Sequence, residues 1–144
     1  LFASAFQESG VETRFYSLDK KFVSLKPLPS DSARTMLSKL IALYKRGMIE
    51  PLPFFPDSSY AFASNQPHHP EEEKSDGAKN TENKGILEAR KKWVSTPYQK
   101  GEGDDSANQL CFREEPFKKA EFEQIASAVY HPFLKVSEAG KEEY

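Results

Sequence analysis

The sequence is poor in cysteine, and it lacks both long apolar runs and an excess of charge of one sign. Cys111 is the single cysteine among 144 residues, so the chain cannot form an internal disulfide bond, which favours a reducing compartment, the cytoplasm. The apolar start, Leu1 to Phe6, is far shorter than the roughly 20 residues that span a bilayer, and no basic residues precede it. We therefore expect neither a signal peptide nor a membrane protein.

The charge balance excludes a strong electrostatic pull toward nucleic acid or membrane. Lys and Arg number 20 against 22 Asp and Glu, for a net charge of −2, so any contact with DNA has to be local. This balance disfavours a stand-alone DNA-binding domain. The length predicts one compact unit, and because the chain starts without Met inside an apolar stretch, we expect it to be a piece of a longer polypeptide.

The first half predicts a β-hairpin followed by a long amphipathic helix. Residues 13–18 and 22–25 are rich in aromatic and branched side chains and flank a polar turn. Ser30 or Asp31 is expected to cap the next helix, and Gly47 to close it in the left-handed conformation. The helix should carry one apolar stripe made of Ala33, Met36, Leu37, Leu40, Ile41 and Tyr44.

The second half predicts short helices between polar stretches. Asp57 or Ser58 is expected to cap a helix through Phe62, a second helix should cover residues 86–93, and a last helix from Phe122 should end at Pro132. Residues 110–112 are expected to form a short strand or buried turn, with Cys111 as a small buried side chain. Residues 65–84 have almost no burial potential and predict a mobile loop, and residues 137–144 predict a frayed tail.

The polar clusters offer weak metal or catalytic candidates. His68 and His69 lie side by side in a proline-bounded loop, without the helical spacing of a metal site, so a solvated loop is the expected reading. Glu102, Asp104 and Asp105 could bind Mg²⁺, yet flanking glycines do not give the rigid support that metal nucleases need. We predict no cofactor, no metal site and no catalytic residues.

His131 precedes Pro132 and is expected to lie at a helix end, where a cation interacts favourably with the helix dipole.

Two other clusters are candidates for binding surfaces. Arg90, Lys91 and Lys92 lie beside Trp93, as in surfaces that follow a nucleic-acid backbone, although short basic runs are common on any solvated face. Phe54 and Phe55 lie in an extended segment between prolines. Extended neighbours point to opposite sides, so we expect one ring to pack in the core of this chain and leave open whether the other meets a partner.

The longest motif in the sequence contains these two aromatic residues. Residues 43–56 read LYKRGMIEPLPFFP and resemble the LYxxGLxxPLPFFP signature of the C-terminal region of RecC, the gamma subunit of exodeoxyribonuclease V. Later stretches agree in order: EARKKW at 88–93 is similar to AxxARxxW, GEGDD at 101–105 to GExxDPY, LCFR at 110–113 to LxFRG, and the segment from 122 to 134 to a closing FExLAxxxxxPLL helix. The chain departs from the family at Ser106-Ala107, which stands for Pro-Tyr, and at Glu114, which stands for Gly.

The resemblance implies a part of a RecBCD-type helicase–nuclease, which processes broken duplex ends in recombinational repair in the bacterial cytoplasm. It implies a domain like a PD-(D/E)xK nuclease that has lost its active site, with RecB-like and RecD-like subunits as partners and DNA present in the holoenzyme. We therefore predict that residues 1–144 form an α+β fragment, with a small β-hairpin at a sheet edge and amphipathic helices, whose function is architectural rather than enzymatic. The predicted DNA-binding residues are Arg90, Lys91 and Lys92, and the predicted partner-binding residues are Pro51, Leu52, Pro53, Phe54 and Phe55.

The alternative function is an active metal-dependent DNA nuclease module. It would require the side chains of Glu102, Asp104, Asp105 and Lys100 to converge on one metal site.

Overall fold

The computed structural model describes residues 4–5, 11–16, 21–66, 84–118 and 120–141. The chain divides into two compact units instead of the single unit that its length predicts: residues 1–50 with 132–144, and residues 51–131. The hydrophobic core of the described residues lies in the second unit, and each unit is described by itself.

The first unit contains a three-stranded antiparallel sheet in the order β1-β2-β3. Strands β1 (Thr13–Tyr16) and β2 (Lys21–Leu25) form the hairpin predicted from the sequence, with Phe15 paired to Val23. Strand β3 (Ser137–Lys141) pairs with the other edge of β2, so that part of the expected frayed tail is ordered by backbone hydrogen bonds. The backbone N–H of Lys26 extends this contact by donating to the carbonyl of Val136 at 2.9 Å.

Helix α1 (Ser30–Gly47) follows the hairpin in the first unit, with the bounds that the periodicity predicts. Its N-cap is Pro29, and no side chain caps it; the Ser30 hydroxyl donates instead to the carbonyl of Ala5, so the expected Ser30 or Asp31 cap is wrong. The expected left-handed closure is absent as well. Met48 at the C-cap is right-handed, with φ −74°, and Pro51 prevents the helix from resuming.

The described part of the second unit contains three complete helices and most of a fourth. Helix α2 (Pro56–Ser64) packs along α3 (Lys84–Trp93), and α4 (Ser106–Cys111) follows a 3₁₀ turn at Glu102–Asp104. A second 3₁₀ turn, Pro116–Lys118, precedes helix α5 (Ala120–Val136). The expected strand or buried turn at residues 110–112 is therefore wrong, because Leu110 and Cys111 complete α4.

Helix α5 continues through Pro132, which was expected to end it. A proline removes one backbone N–H and crowds the carbonyl four residues earlier, and this usually breaks a helix. Here the helix runs on to Val136, and the division between the two units falls at this proline.

An aromatic core holds the second unit together. Phe55, Phe62, Phe117 and Phe122 are buried, and Trp93 and Phe112 pack against them. The Phe117 and Phe122 rings meet edge to face at 4.7 Å, and Phe62 meets Phe122 at 5.4 Å. Such edge contacts add about 0.5–1.5 kcal/mol each beyond the burial of apolar area.

Of the expected loop at residues 65–84, the structure describes positions 65, 66 and 84, and the remainder lies outside the described residues. His68 and His69 fall in that remainder. Residues 142–144 of the expected tail lie outside the described residues too.

Candidate functional site

The segment Pro51–Phe55 joins α1 to α2 and points its two aromatic rings in different directions. Phe55 is buried, with its ring centroid 4.6 Å from that of Trp93 and 5.1 Å from that of Phe112, both edge to face. Pro56 at the start of α2 keeps the preceding residue extended, with φ −124° and ψ 119° at Phe55. The inward ring of the pair is therefore Phe55, in agreement with the expected alternation.

Phe54 belongs to a different cluster, the aromatic trio of Phe54, Tyr60 and Tyr130. The Phe54 ring stacks on Tyr130 at 5.9 Å and an interplanar angle of 22°, and Tyr60 meets Tyr130 edge to face at 5.4 Å. The Tyr130 hydroxyl donates to the Pro56 carbonyl at 3.1 Å. Burial raises the pKa of Tyr130, and the negative charges of Glu102 and Asp57 raise it further.

The prolines of the same segment line a groove of about 420 Å³, here named the proline groove. Its far wall is the end of α4 and the chain that follows. Leu110 at this wall is 82% exposed, whereas Pro53 is buried. The lining residues are Pro51, Pro53, Leu110, Cys111, Phe112, Arg113, Glu114, Glu115, Pro116 and Glu121.

Glu102 caps helix α2 from a distant part of the sequence. Its Oε1 accepts a hydrogen bond from the backbone N–H of Asp57 at 2.9 Å, and its Oε2 accepts from that of Ser58 at 2.8 Å. The first N–H groups of a helix have no partner within the helix, and the positive end of the helix dipole attracts a carboxylate. The expected cap by Asp57 or Ser58 is therefore wrong, because Glu102 takes that place.

The other two carboxylates of the acidic cluster are also engaged, each at a different position. Asp105 Oδ1 accepts from the backbone N–H groups of Ala107 and Asn108 and so caps α4. Asp104 accepts a hydrogen bond from the hydroxyl of Ser95. Within the described ranges, no three His, Cys, Asp or Glu side chains gather at a distance suited to one metal ion.

The glycines between these carboxylates let the loop approach Trp93 closely. A Cβ placed on Gly103 would lie 2.7 Å from Cε2 of the Trp93 ring, and a Cβ on Gly101 would clash with the Trp93 carbonyl. The glycines were expected to make the acidic loop loose. They instead allow it to pack against Trp93, which brings Glu102 to α2.

The basic cluster on α3 does not form one cationic face. Arg90 pairs through two nitrogens with the Glu115 carboxylate, with Nη2 3.3 Å from Oε2, and both side chains are about 30% exposed. Lys91 lies 2.6 Å from Glu88, one turn earlier. Consecutive helical positions are about 100° apart, so the three side chains point in different directions. Lys91 and Lys92 are the exposed members.

The positions of Cys111 and His131 differ from those that the sequence predicts. Cys111, expected to be buried, is exposed at the end of α4. His131 lies inside α5 and not at a helix end, so a favourable contact with the helix dipole at that position is wrong.

Sequence reasoning missed Glu102 as a cap and Glu115 as the partner of Arg90. The pairs are separated by 44 and 25 residues, and no local pattern links their members. The one available signal was the absence of a strong capping side chain at Phe55, the residue before α2, which left the first N–H groups of that helix without a local acceptor.

Two acidic side chains of this region hold helices in place, since Glu102 caps α2 and Asp105 caps α4. Residues 1–67 match the family model of the RecC C-terminal domain. The match covers slightly less than half of the chain, and for these residues it confirms the resemblance found in the sequence; the later motifs stay a prediction. No curated protein matches the chain at a significant level.

A RecC domain is part of exodeoxyribonuclease V, the RecBCD enzyme of DNA repair, so the match indicates a component of that complex. Among the described residues, no helix is both long and apolar enough to cross a bilayer.

Proposed function

We propose that this chain is a non-catalytic, architectural part of a RecBCD-type helicase–nuclease that acts in the repair of double-strand breaks. The observation that carries the proposal is the segment Pro51–Phe55, which lies inside the matched region. Phe55 anchors the segment in the aromatic core, so Pro51 and Pro53 are held rigidly along the proline groove. A preformed surface of this kind suits the binding of a partner subunit, because little conformational entropy is lost on association.

The proposed partners are the RecB-like and RecD-like subunits. The proline groove and Phe54 of the aromatic trio would supply the contacts, with Leu52 beside them. Three of the four charged side chains that line the groove are acidic, and Glu115 among them is paired with Arg90. The others, Glu114 and Glu121 against Arg113, favour a partly apolar and weakly basic segment of the partner. The assembly would work in the bacterial cytoplasm, where broken chromosomal ends arise.

The lack of catalysis is supported by the use of the acidic cluster. Catalytic metal sites need carboxylates that converge on one ion. Here Glu102 caps α2, Asp105 caps α4 and Asp104 accepts from Ser95. No observation favours the alternative of an active nuclease module.

The relation to a PD-(D/E)xK nuclease that has lost its active site is part of the same proposal, and it rests on the resemblance to RecC. The guidance of DNA strands is proposed for Lys91 and Lys92, since Arg90 is held by Glu115.

The deciding experiment is co-purification from cells that express this chain with the RecB-like subunit, with the RecD-like subunit, or with both. We expect retention with at least one of them, and Leu110→Asp should reduce it at least tenfold by placing a charge at the rim of the groove. Val94→Asp is the matched control, because Val94 is exposed in the same unit and is not among the groove residues. Retention of Leu110→Asp at the level of the control would refute the groove as the contact.

Catalysis is tested on the same purified chain with linear duplex DNA and Mg²⁺. We expect no cleavage above a buffer control. Cleavage that depends on the metal and is lost in Asp104→Asn would establish the nuclease alternative instead.

A further inference from the structure

Helix α1 presents an apolar stripe that is exposed to solvent in its C-terminal half and half-buried before that. Ile41, Tyr44 and Met48 are 46%, 70% and 71% exposed, and Ile49 just beyond them is 88% exposed. Residues spaced three and four apart lie on one side of a helix, so the first three side chains form a continuous strip. Leu37 and Leu40 continue it toward the N-terminus, and these five residues, Leu37, Leu40, Ile41, Tyr44 and Met48, are named the α1 stripe.

Within the described part of its own unit, little buries this helix. Ala33, near the N-terminus of α1, is its one fully buried residue, and the Ala5 carbonyl accepts hydrogen bonds there from Ser30 and from Arg34 at 3.0 and 2.7 Å. The strands of the sheet pack on one another, and none packs closely along α1 in the described part of the unit. Most helical stability in proteins comes from the packing of an apolar face, so an 18-residue helix with an open stripe lacks its main source of stability.

The charges of α1 indicate what could cover the stripe. After Asp31 the helix carries four cations and no acidic side chain: Arg34, Lys39, Lys45 and Arg46. At about 100° per residue, Lys45 borders the stripe beside Ile41, whereas Lys39 and Arg46 project from the opposite side. The first acidic residue after the helix, Glu50, is paired with Arg46, which leaves the edge near Lys45 cationic.

We propose that the α1 stripe binds an apolar helix with an acidic flank, carried by a partner subunit of the assembly. This inference rests on the proposed function, and it adds a second contact surface, in the other unit, with the opposite charge preference to the proline groove. A second copy of this chain fits less well, since a two-fold contact would bring like charges together. DNA fits less well too, because the centre of the stripe is apolar and two of the four cations lie on the far side.

The test uses the full chain co-expressed with the other subunits and measures its retention in the purified assembly. We expect Ile41→Asp and Tyr44→Asp each to lower retention at least tenfold, and Lys45→Glu to lower it less and in a salt-dependent manner. Ile41→Leu should retain wild-type assembly. Tyr98→Asp is the matched control, because Tyr98 is the most exposed of the large apolar side chains described and lies in the other unit.

Circular dichroism melts of each variant separate a lost contact from a lost fold. Any Asp variant that melts earlier than wild type is replaced by Ile41→Ser, which adds no charge and should still lower retention.

The outcomes separate this inference from the function on which it rests. If wild type is not retained at all, the proposed function fails and the inference with it. If wild type and the stripe variants are retained equally, the function stands and the inference is overturned. It is overturned as well if the stripe variants abolish self-association in sedimentation, or binding to phosphatidylglycerol vesicles, without loss from the assembly.

Discussion

Oε2 of Glu102 lies 2.8 Å from the backbone nitrogen of Ser58, although the two residues are 44 positions apart in the chain. The second oxygen of the same carboxylate accepts from the neighbouring N–H of Asp57. One side chain thus satisfies two of the first N–H groups of α2 and places a negative charge at the positive end of its dipole. The loop around Trp93 and the start of α2 are thereby fixed to one another.

We expect Glu102→Ala to lower the free energy of unfolding by about 1–2 kcal/mol, the usual cost of losing a helix cap. Glu102→Gln keeps an acceptor oxygen and loses the charge, so its cost should be smaller. Urea denaturation followed by circular dichroism measures both. Glu114→Ala is the control, because Glu114 is exposed and surface changes of this kind usually stay within about 0.5 kcal/mol. Equal stability of all three variants would mean that the cap contributes nothing.

The two rings of the Phe54-Phe55 pair should respond differently to truncation. Phe55→Ala removes a buried ring from a cluster of four aromatic neighbours and should cost about 3–5 kcal/mol. Phe54→Ala loses one stacked partner, Tyr130, and should cost about 1 kcal/mol. Thermal melts give the stabilities, and retention in the assembly should fall for Phe54→Ala. Two variants that lose stability equally and assemble normally would make both rings ordinary core residues.

Stability should fall in alkaline solution because of Tyr130. Burial raises its folded-state pKa above the value near 10 of an exposed phenol. The folded state therefore holds this proton more tightly, so the stabilisation is complete below pH 10 and is lost as the pH rises through the folded-state pKa. Denaturant unfolding between pH 8 and 12 should show a steeper decline in wild type than in Tyr130→Phe. Parallel declines in the two proteins would contradict the assignment.

Substitutions of Arg90 and of Lys92 should distinguish a structural role from a DNA-related role for the basic side chains of α3. Arg90→Ala breaks the two-nitrogen pair with Glu115 and should cost about 1 kcal/mol of stability, a modest value because both partners are partly exposed. Lys92→Ala should leave stability within about 0.5 kcal/mol. If Lys92 contacts phosphate, its loss weakens DNA binding by the assembly and lowers the salt slope by about 1. An unchanged slope would remove Lys92 from the proposed DNA surface.

Local patterns were enough to predict the elements of the first half. The hairpin over β1 and β2 and the bounds of α1 follow from side-chain periodicity and from the prolines that flank them. The alternation of Phe54 and Phe55 also follows from local geometry, because an extended backbone turns neighbouring side chains to opposite sides.

The errors arose where tertiary contacts outweigh local preference. Residues 110–112 are apolar enough for a strand, yet Asp105 caps the preceding turn, and a helix forms through Cys111. Pro132 is a strong local signal for a helix end, but α5 continues for another four residues. The tail at β3 has no alternating apolar pattern, and its order comes from backbone pairing with β2. Neither pairing nor capping over such distances is visible in a sequence window.

The capping of α2 by the distant Glu102 affects when this helix can form during synthesis on the ribosome. Elongation at about 5–20 residues per second delivers Glu102 several seconds after Ser58 has been synthesised. During that interval the first turn of α2 has no acceptor for its N–H groups, and a nine-residue helix is too short to be stable alone in water. The order of synthesis therefore leaves α2 unformed until the stretch that contains Trp93 and Glu102 has emerged, and nascent chains stalled before Glu102 should expose Phe55 and Phe62 to chaperones.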